Sequence, residues 1–156
     1  MIYLLIISIL ITPILTNINF YFVSFSIFPL LLSILLLYKK CSGKGLFTYS
    51  IIAGILFDIF YSDIKLNFII YPILTILILI IFNNIKYKLN TLLITSMFII
   101  FIYLNITFLI YKIFNMQTVA YSYFLSKLIF IYIFNALYVF IVYIILNINT
   151  KAKMNI

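Results

Sequence analysis

The sequence has no histidine, tryptophan or arginine and only two carboxylates, Asp58 and Asp63. It therefore lacks an imidazole base and offers no paired carboxylates within one apolar run, so acid–base catalysis has little to work with. Its one cysteine, Cys41, cannot form an internal disulfide, and no cluster of metal ligands or glycine-rich phosphate loop is present. Charged residues make up 8% of the chain, whereas a soluble domain carries about a quarter. A soluble globular fold is thereby excluded.

What is there is apolar. Of 156 residues, 68% are hydrophobic and 20% aromatic. A membrane-spanning helix needs about 20 apolar residues, so six spans would use about 120 and leave short connections. The runs are continuous rather than alternating, which disfavours a membrane β-barrel. The expected fold is an all-α integral membrane protein, a single domain over residues 1–156.

Six apolar runs are expected as helices, over residues 2–16, 20–38, 46–61, 66–82, 91–111 and 121–146. The first is short, and if it fails to span, five helices remain. It has no basic lead-in or cleavage pattern and reads as a retained helix, not a signal peptide. Pro29 and Pro72 fall inside the second and fourth runs, where each would free a backbone carbonyl and kink a helix.

Net charge is +8, all of it from lysine. In a soluble protein this would suggest nucleic acid. Here the lysines lie between apolar runs, where they set orientation, and no nucleic-acid partner is expected. With the N-terminus inside, seven lysines fall on the inner side (Lys39, Lys40, Lys44, Lys86, Lys88, Lys151, Lys153) and two on the outer side (Lys65, Lys112). Both termini are therefore expected in the cytoplasm. The Lys39–Lys40 and Lys86/Lys88 patches read first as topology signals, with contact to anionic lipid or an acidic partner as a second role.

Asp58 is the residue that most needs a reason. A carboxylate inside a span is costly and faces the bundle or a cavity. Ser50 and Gly54 precede it at four-residue intervals, so the three share one helix face, a small polar stripe that lets a neighbouring helix approach closely. Two readings stand: a ligand or core anchor, and a buried structural partner for a lysine or a backbone group. Lys127, early in the sixth run, is the natural ion-pair partner; alternatively it snorkels alone to the headgroups. Asn135 lies eight residues beyond Lys127, near the same face. Asn105 and Thr107 are weaker candidates for hydrogen bonds between helices.

The stretch from Pro29 to Leu79 resembles the rod shape-determining protein MreD family. That family carries a small-Gly-apolar-Leu-apolar-Asp signature in its third helix, then a short loop and usually Leu-Gly. Gly54, Leu56 and Asp58 match the signature, Ser62 fits the loop and Leu66 the leucine, while Asn67 replaces the glycine. Asparagine is the residue best able to mimic glycine in a left-handed turn. Asn135 stands where family members often carry an asparagine in the last helix. The resemblance implies a non-enzymatic scaffold of the bacterial elongation machinery in the plasma membrane, without a cofactor. It would partner an MreC-like single-pass protein, with actin-like MreB beneath and RodA with a class B penicillin-binding protein alongside. The family's bundle is similar to the substrate-binding S components of energy-coupling-factor vitamin transporters, which supply the rival function. Against that rival, few polar groups are available for an outer pocket (Asp58, Asp63, Lys65, Asn67 and Lys127), and the first run lacks a small-xxx-small docking pattern.

Overall fold

The computed structural model describes residues 6–8, 10, 18–20, 23–25, 28–60, 65–113 and 121–152. Residues 18–20 form β1 and 23–25 form β2, which pair antiparallel with Ile18 opposite Phe25 and Phe20 opposite Val23. Five helices follow: α1 (Pro29–Leu37), α2 (Gly43–Phe60), α3 (Asn67–Asn84), α4 (Leu89–Ile113) and α5 (Tyr121–Ala152). The last four include stretches long and apolar enough to cross a membrane. The architecture is an α-helical membrane bundle with a small hairpin. The expected first helix, 2–16, falls mostly outside the described residues, within which 6–8 and 10 are helical.

The second expected helix is corrected. Residues 20–38 are not one span broken by a proline kink. The chain is extended through β2, and Pro29 opens the helix. Proline suits that first position, since its ring presets the helical φ and its missing N–H would have been unpaired there anyway. Nine residues make α1 only about 14 Å long, too short for a bilayer core of about 30 Å.

All nine residues of α1 are buried. It packs against α2, α3, α4 and α5 and forms the centre of the bundle they make. A run of leucine and isoleucine with no polar face is suited to that place, because there is no side to turn outward. Its one hydroxyl, Ser33, donates to the Leu30 carbonyl (2.6 Å) and shares a hydrogen bond with the Tyr49 hydroxyl of α2 (2.7 Å).

The four long helices bury one face and expose the other. In α3, Ile70, Leu74 and Ile78 are buried, while Ile69, Ile73, Ile76 and Ile80 are exposed. Apolar residues on both faces are what lipid permits, since the tails are as apolar as leucine.

Helix starts are set locally at one end of the bundle. Ser42 accepts the Gly45 N–H at 3.2 Å and so caps α2. Thr91 accepts the Lys88 N–H at 2.9 Å, one half of a capping box at the start of α4. Helix α3, which starts at the opposite end, has no side-chain cap of its own at Leu66. Pro72 lies inside α3 as expected, within one continuous helix.

Candidate functional site: the Asp58–Asn67 lock and its polar layer

Ser50, Gly54 and Asp58 line the buried side of α2, as their spacing predicts. Asp58 is 5% exposed. Its Oδ1 accepts the Asn67 backbone N–H at 3.0 Å and the Asn67 side-chain amide at 2.7 Å. Its Oδ2 accepts the Phe68 N–H at 2.9 Å. Asn67 and Phe68 are the first two residues of α3, so these are two of the four N–H groups a helix leaves unpaired at its start. Ile69 donates to the Leu66 carbonyl at 3.0 Å, and Ile70 makes the first regular helical bond to the same carbonyl at 3.1 Å. The N–H groups of residues 67 to 70 are thereby all paired.

Asp58 thus caps the helix that follows its own. The arrangement is also electrostatically favourable, because the carboxylate faces the positive end of the α3 dipole. Of the readings open for Asp58, the geometry supplies the backbone partner. The expected Asp58–Lys127 pair falls outside the described residues: Lys127 lies in α5, but its side chain is not among those described.

Gly54 makes the cap reachable. A Cβ there would come 2.4 Å from the Asn67 carbonyl oxygen and 2.8 Å from the Phe68 Cα. No side chain fits in that space, so the start of α3 rests directly on the α2 backbone. One turn later, Asp58 meets the N–H groups that this contact brings within reach. Leu56, between them in sequence, is half-buried and lies off this stripe.

Asn67 stands where the resembled family has glycine, and it uses its side chain. The amide donates to Asp58, and Oδ1 accepts the Tyr103 hydroxyl of α4 at 3.0 Å. Tyr103 continues the layer as an aromatic. Its ring meets Tyr71 edge-on at 5.9 Å and Phe28 at 5.2 Å. Tyr71 in turn meets Phe57 at 5.8 Å.

The far side of the layer is Asn135 of α5, 1% exposed. Its Oδ1 accepts the Phe28 N–H at 3.0 Å, and its Nδ2 donates to the Ile131 carbonyl at 2.7 Å. Phe28 is the residue just before α1, where the chain enters the helix. Asn135 therefore does for α1 what Asp58 does for α3: it holds a backbone N–H at a helix entrance that water does not reach. Gly54, Asp58, Asn67 and Asn135 are brought into one layer through Tyr103 and Phe28.

Sequence reasoning missed Tyr103 and Phe28. Tyr103 carried one signal, its place well inside the fifth run rather than at an interface, where a buried phenol requires a hydrogen-bond partner. Asn105 and Thr107 donate to carbonyls of their own helix, Asn105 to Phe101 and Thr107 to Tyr103. Among the described residues no cluster of three or more metal-ligating side chains occurs.

The chemistry available to the layer is positional. Its carboxylate accepts three hydrogen bonds within the bundle, the Asn67 amide joins that carboxylate to the Tyr103 hydroxyl, and the Asn135 amide pairs with backbone. Comparison with family models, with curated proteins and with solved structures found no match to this chain.

Proposed function

We propose that the chain is a non-enzymatic membrane scaffold of bacterial cell-wall elongation, of the MreD type, that binds an MreC-like single-pass partner. The observation that carries the reading is the Gly54–Asp58 lock on the start of α3. Two of the residues matching the family signature, Gly54 and Asp58, join α2 to α3, and the carboxylate is committed to the start of α3 rather than presented to a substrate. A scaffold needs such fixed faces. On this reading the termini are cytoplasmic, Lys39, Lys40, Lys44, Lys86 and Lys88 face the cytoplasm, and MreB, RodA and a class B penicillin-binding protein stand nearby.

The surface offered to a partner helix is α5, the least covered of the four long helices. Ile129, Ile133, Leu137, Ile141 and Ile145 form an exposed stripe along it at four-residue spacing. A single transmembrane helix packs on such a stripe by van der Waals contact.

The test is a pull-down of the tagged chain from its native membrane in mild detergent, read by mass spectrometry. Photo-crosslinkers at Ile133 and Leu137 would locate the contact. Recovery of a single-pass protein with a large extracytoplasmic coiled coil, crosslinked through α5, is the expected result. Recovery of a membrane coupling subunit with paired ATPases would overturn it and make the chain a transporter S component.

A further inference from the structure

Two loops meet at the end of the bundle opposite Asp58. Residues 38–42 join α1 to α2, and residues 85–88 join α3 to α4. Aromatic packing fastens them together. The Tyr38 and Tyr87 rings stack at 5.8 Å with planes 17° apart, and Phe82 contacts both, at 4.9 and 5.0 Å. The Tyr38 hydroxyl donates to Asn83 Oδ1 at 3.2 Å. Around this cluster Lys39, Lys40, Lys44, Lys86 and Lys88 are all exposed. Lys39 holds its ammonium 5.2 Å from the centre of the Tyr87 ring, within cation–π range.

This concentration of positive charge has no internal counterweight among the described residues. Among the described residues no carboxylate stands at this end. Asp58 is at the far end of α2, and Asp63 follows it by five residues in sequence. The patch also lies at the ends of the spanning helices, the level at which tyrosine and lysine meet lipid headgroups.

We propose that the two loops form a clasp for the phosphate of an anionic phospholipid, with Lys39 and Lys40 on one side, Lys86 and Lys88 on the other, and the Tyr38–Tyr87 stack setting the gap. The occupant is a lipid rather than an acidic protein because the lysines stand where the helices leave the bilayer, so a headgroup is the first anion they meet. Tyr87 gives the clasp its shape: it carries no charge, yet it fixes one loop against the other and places Lys39. The proposal is independent of the scaffold reading and concerns a different end of the molecule.

The test uses the full chain in detergent, with phosphatidylglycerol or phosphatidylcholine added, lipid adducts counted by native mass spectrometry and folding followed by circular dichroism. The expected result is a preference for phosphatidylglycerol that falls about tenfold or more in the Lys39→Gln/Lys86→Gln double variant, since each lysine near an anionic headgroup adds a several-fold gain. Lys65→Gln/Lys112→Gln, at the other end, should leave it unchanged. Tyr87→Leu should lose the preference at constant charge, and Tyr87→Phe should keep it. If Tyr87→Leu does not fold, the two lysine pairs still decide. No preference in the unaltered chain would overturn the clasp, as would equal loss from the two lysine pairs or equal behaviour of a folded Tyr87→Leu and Tyr87→Phe. Displacement of the lipid by equimolar inorganic phosphate, or selective binding of an acidic protein without lipid preference, would overturn the lipid assignment.

Discussion

Gly54 and Asn67 are in contact through backbone alone: a methyl group on Gly54 would stand 2.4 Å from the Asn67 carbonyl oxygen. That distance is well inside van der Waals contact, and the neighbour is backbone, which cannot swing aside as a side-chain tip can. The glycine and the Asp58 cap one turn later therefore form one device. The first brings α3 close, and the second satisfies the N–H groups that the approach leaves inside the bundle.

Gly54→Ala should accordingly be severe even though alanine is the better helix former. Overpacking typically costs about 1–3 kcal/mol, and here the gain in helix propensity, at most about 1 kcal/mol, only partly offsets it. Gly54→Leu should be worse, with little folded protein recovered. Thermal unfolding in detergent measures both; an alanine variant as stable as the unaltered chain would remove the close-approach argument.

Asp58 substitutions should grade by how many hydrogen bonds survive. Asp58→Asn keeps one carbonyl oxygen, so it can accept from only one side of the α3 start. Asp58→Leu keeps none and leaves the Asn67 and Phe68 N–H groups buried and unpaired, at about 1–3 kcal/mol each. The expected order of stability is aspartate, asparagine, leucine. Amide hydrogen exchange at residues 67 and 68 should accelerate in the same order; unchanged exchange in Asp58→Leu would mean the cap is not carried by this carboxylate.

Much of this was legible in the residues. Helices α2 to α4 lie within three residues of the expected bounds, because each is a long apolar run between lysine- or asparagine-bearing turns. The Ser50–Gly54–Asp58 stripe followed from helical spacing alone. The failure was at 20–38, where length and hydropathy suggested a span. Val23-Ser24-Phe25-Ser26-Ile27 alternates apolar and polar with period two, a strand signal, and Pro29 marks a helix start rather than a kink. The layer itself was not legible, because Asp58, Tyr103 and Asn135 lie on three helices and spacing within one run does not say which faces meet.

Tyr87 gives a pH dependence that can be assigned in sign. Burial, and then the nearby Tyr143 phenol, push its ionisation above the ordinary tyrosine value of 10.0. The folded state therefore favours the neutral ring more strongly than the unfolded state does. The resulting stability is fully present below pH 10.0, the unfolded reference, and is lost as pH rises through the higher folded value. Ultraviolet titration of phenolate in the unaltered chain, minus that in Tyr87→Phe, isolates this one group. Its ionisation should come later than that of a free tyrosine; an ordinary midpoint would mean that Tyr87 is open to water and the two loops are not fastened.

Asn135→Leu tests the other edge of the layer. The leucine is close in volume and suits a membrane helix, so on apolar grounds it should be tolerated. It removes the acceptor of the Phe28 N–H, however, and α1 cannot supply another at that position because its own carbonyls point toward its far end. A loss of about 1–3 kcal/mol is expected from the orphaned N–H. Asn135→Asp should lose less in its protonated form, whose carbonyl oxygen accepts the Phe28 N–H while its hydroxyl donates to the Ile131 carbonyl. Because Phe28 also packs its ring on Tyr103, the loss in Asn135→Leu should not add simply to that of Tyr103→Phe, which removes the hydroxyl that binds Asn67. A double-mutant cycle on thermal stability reads the coupling directly. Strict additivity would split the layer into two independent caps, one for α1 and one for α3, whereas a non-zero interaction energy would make it a single unit that fixes both helix entrances together.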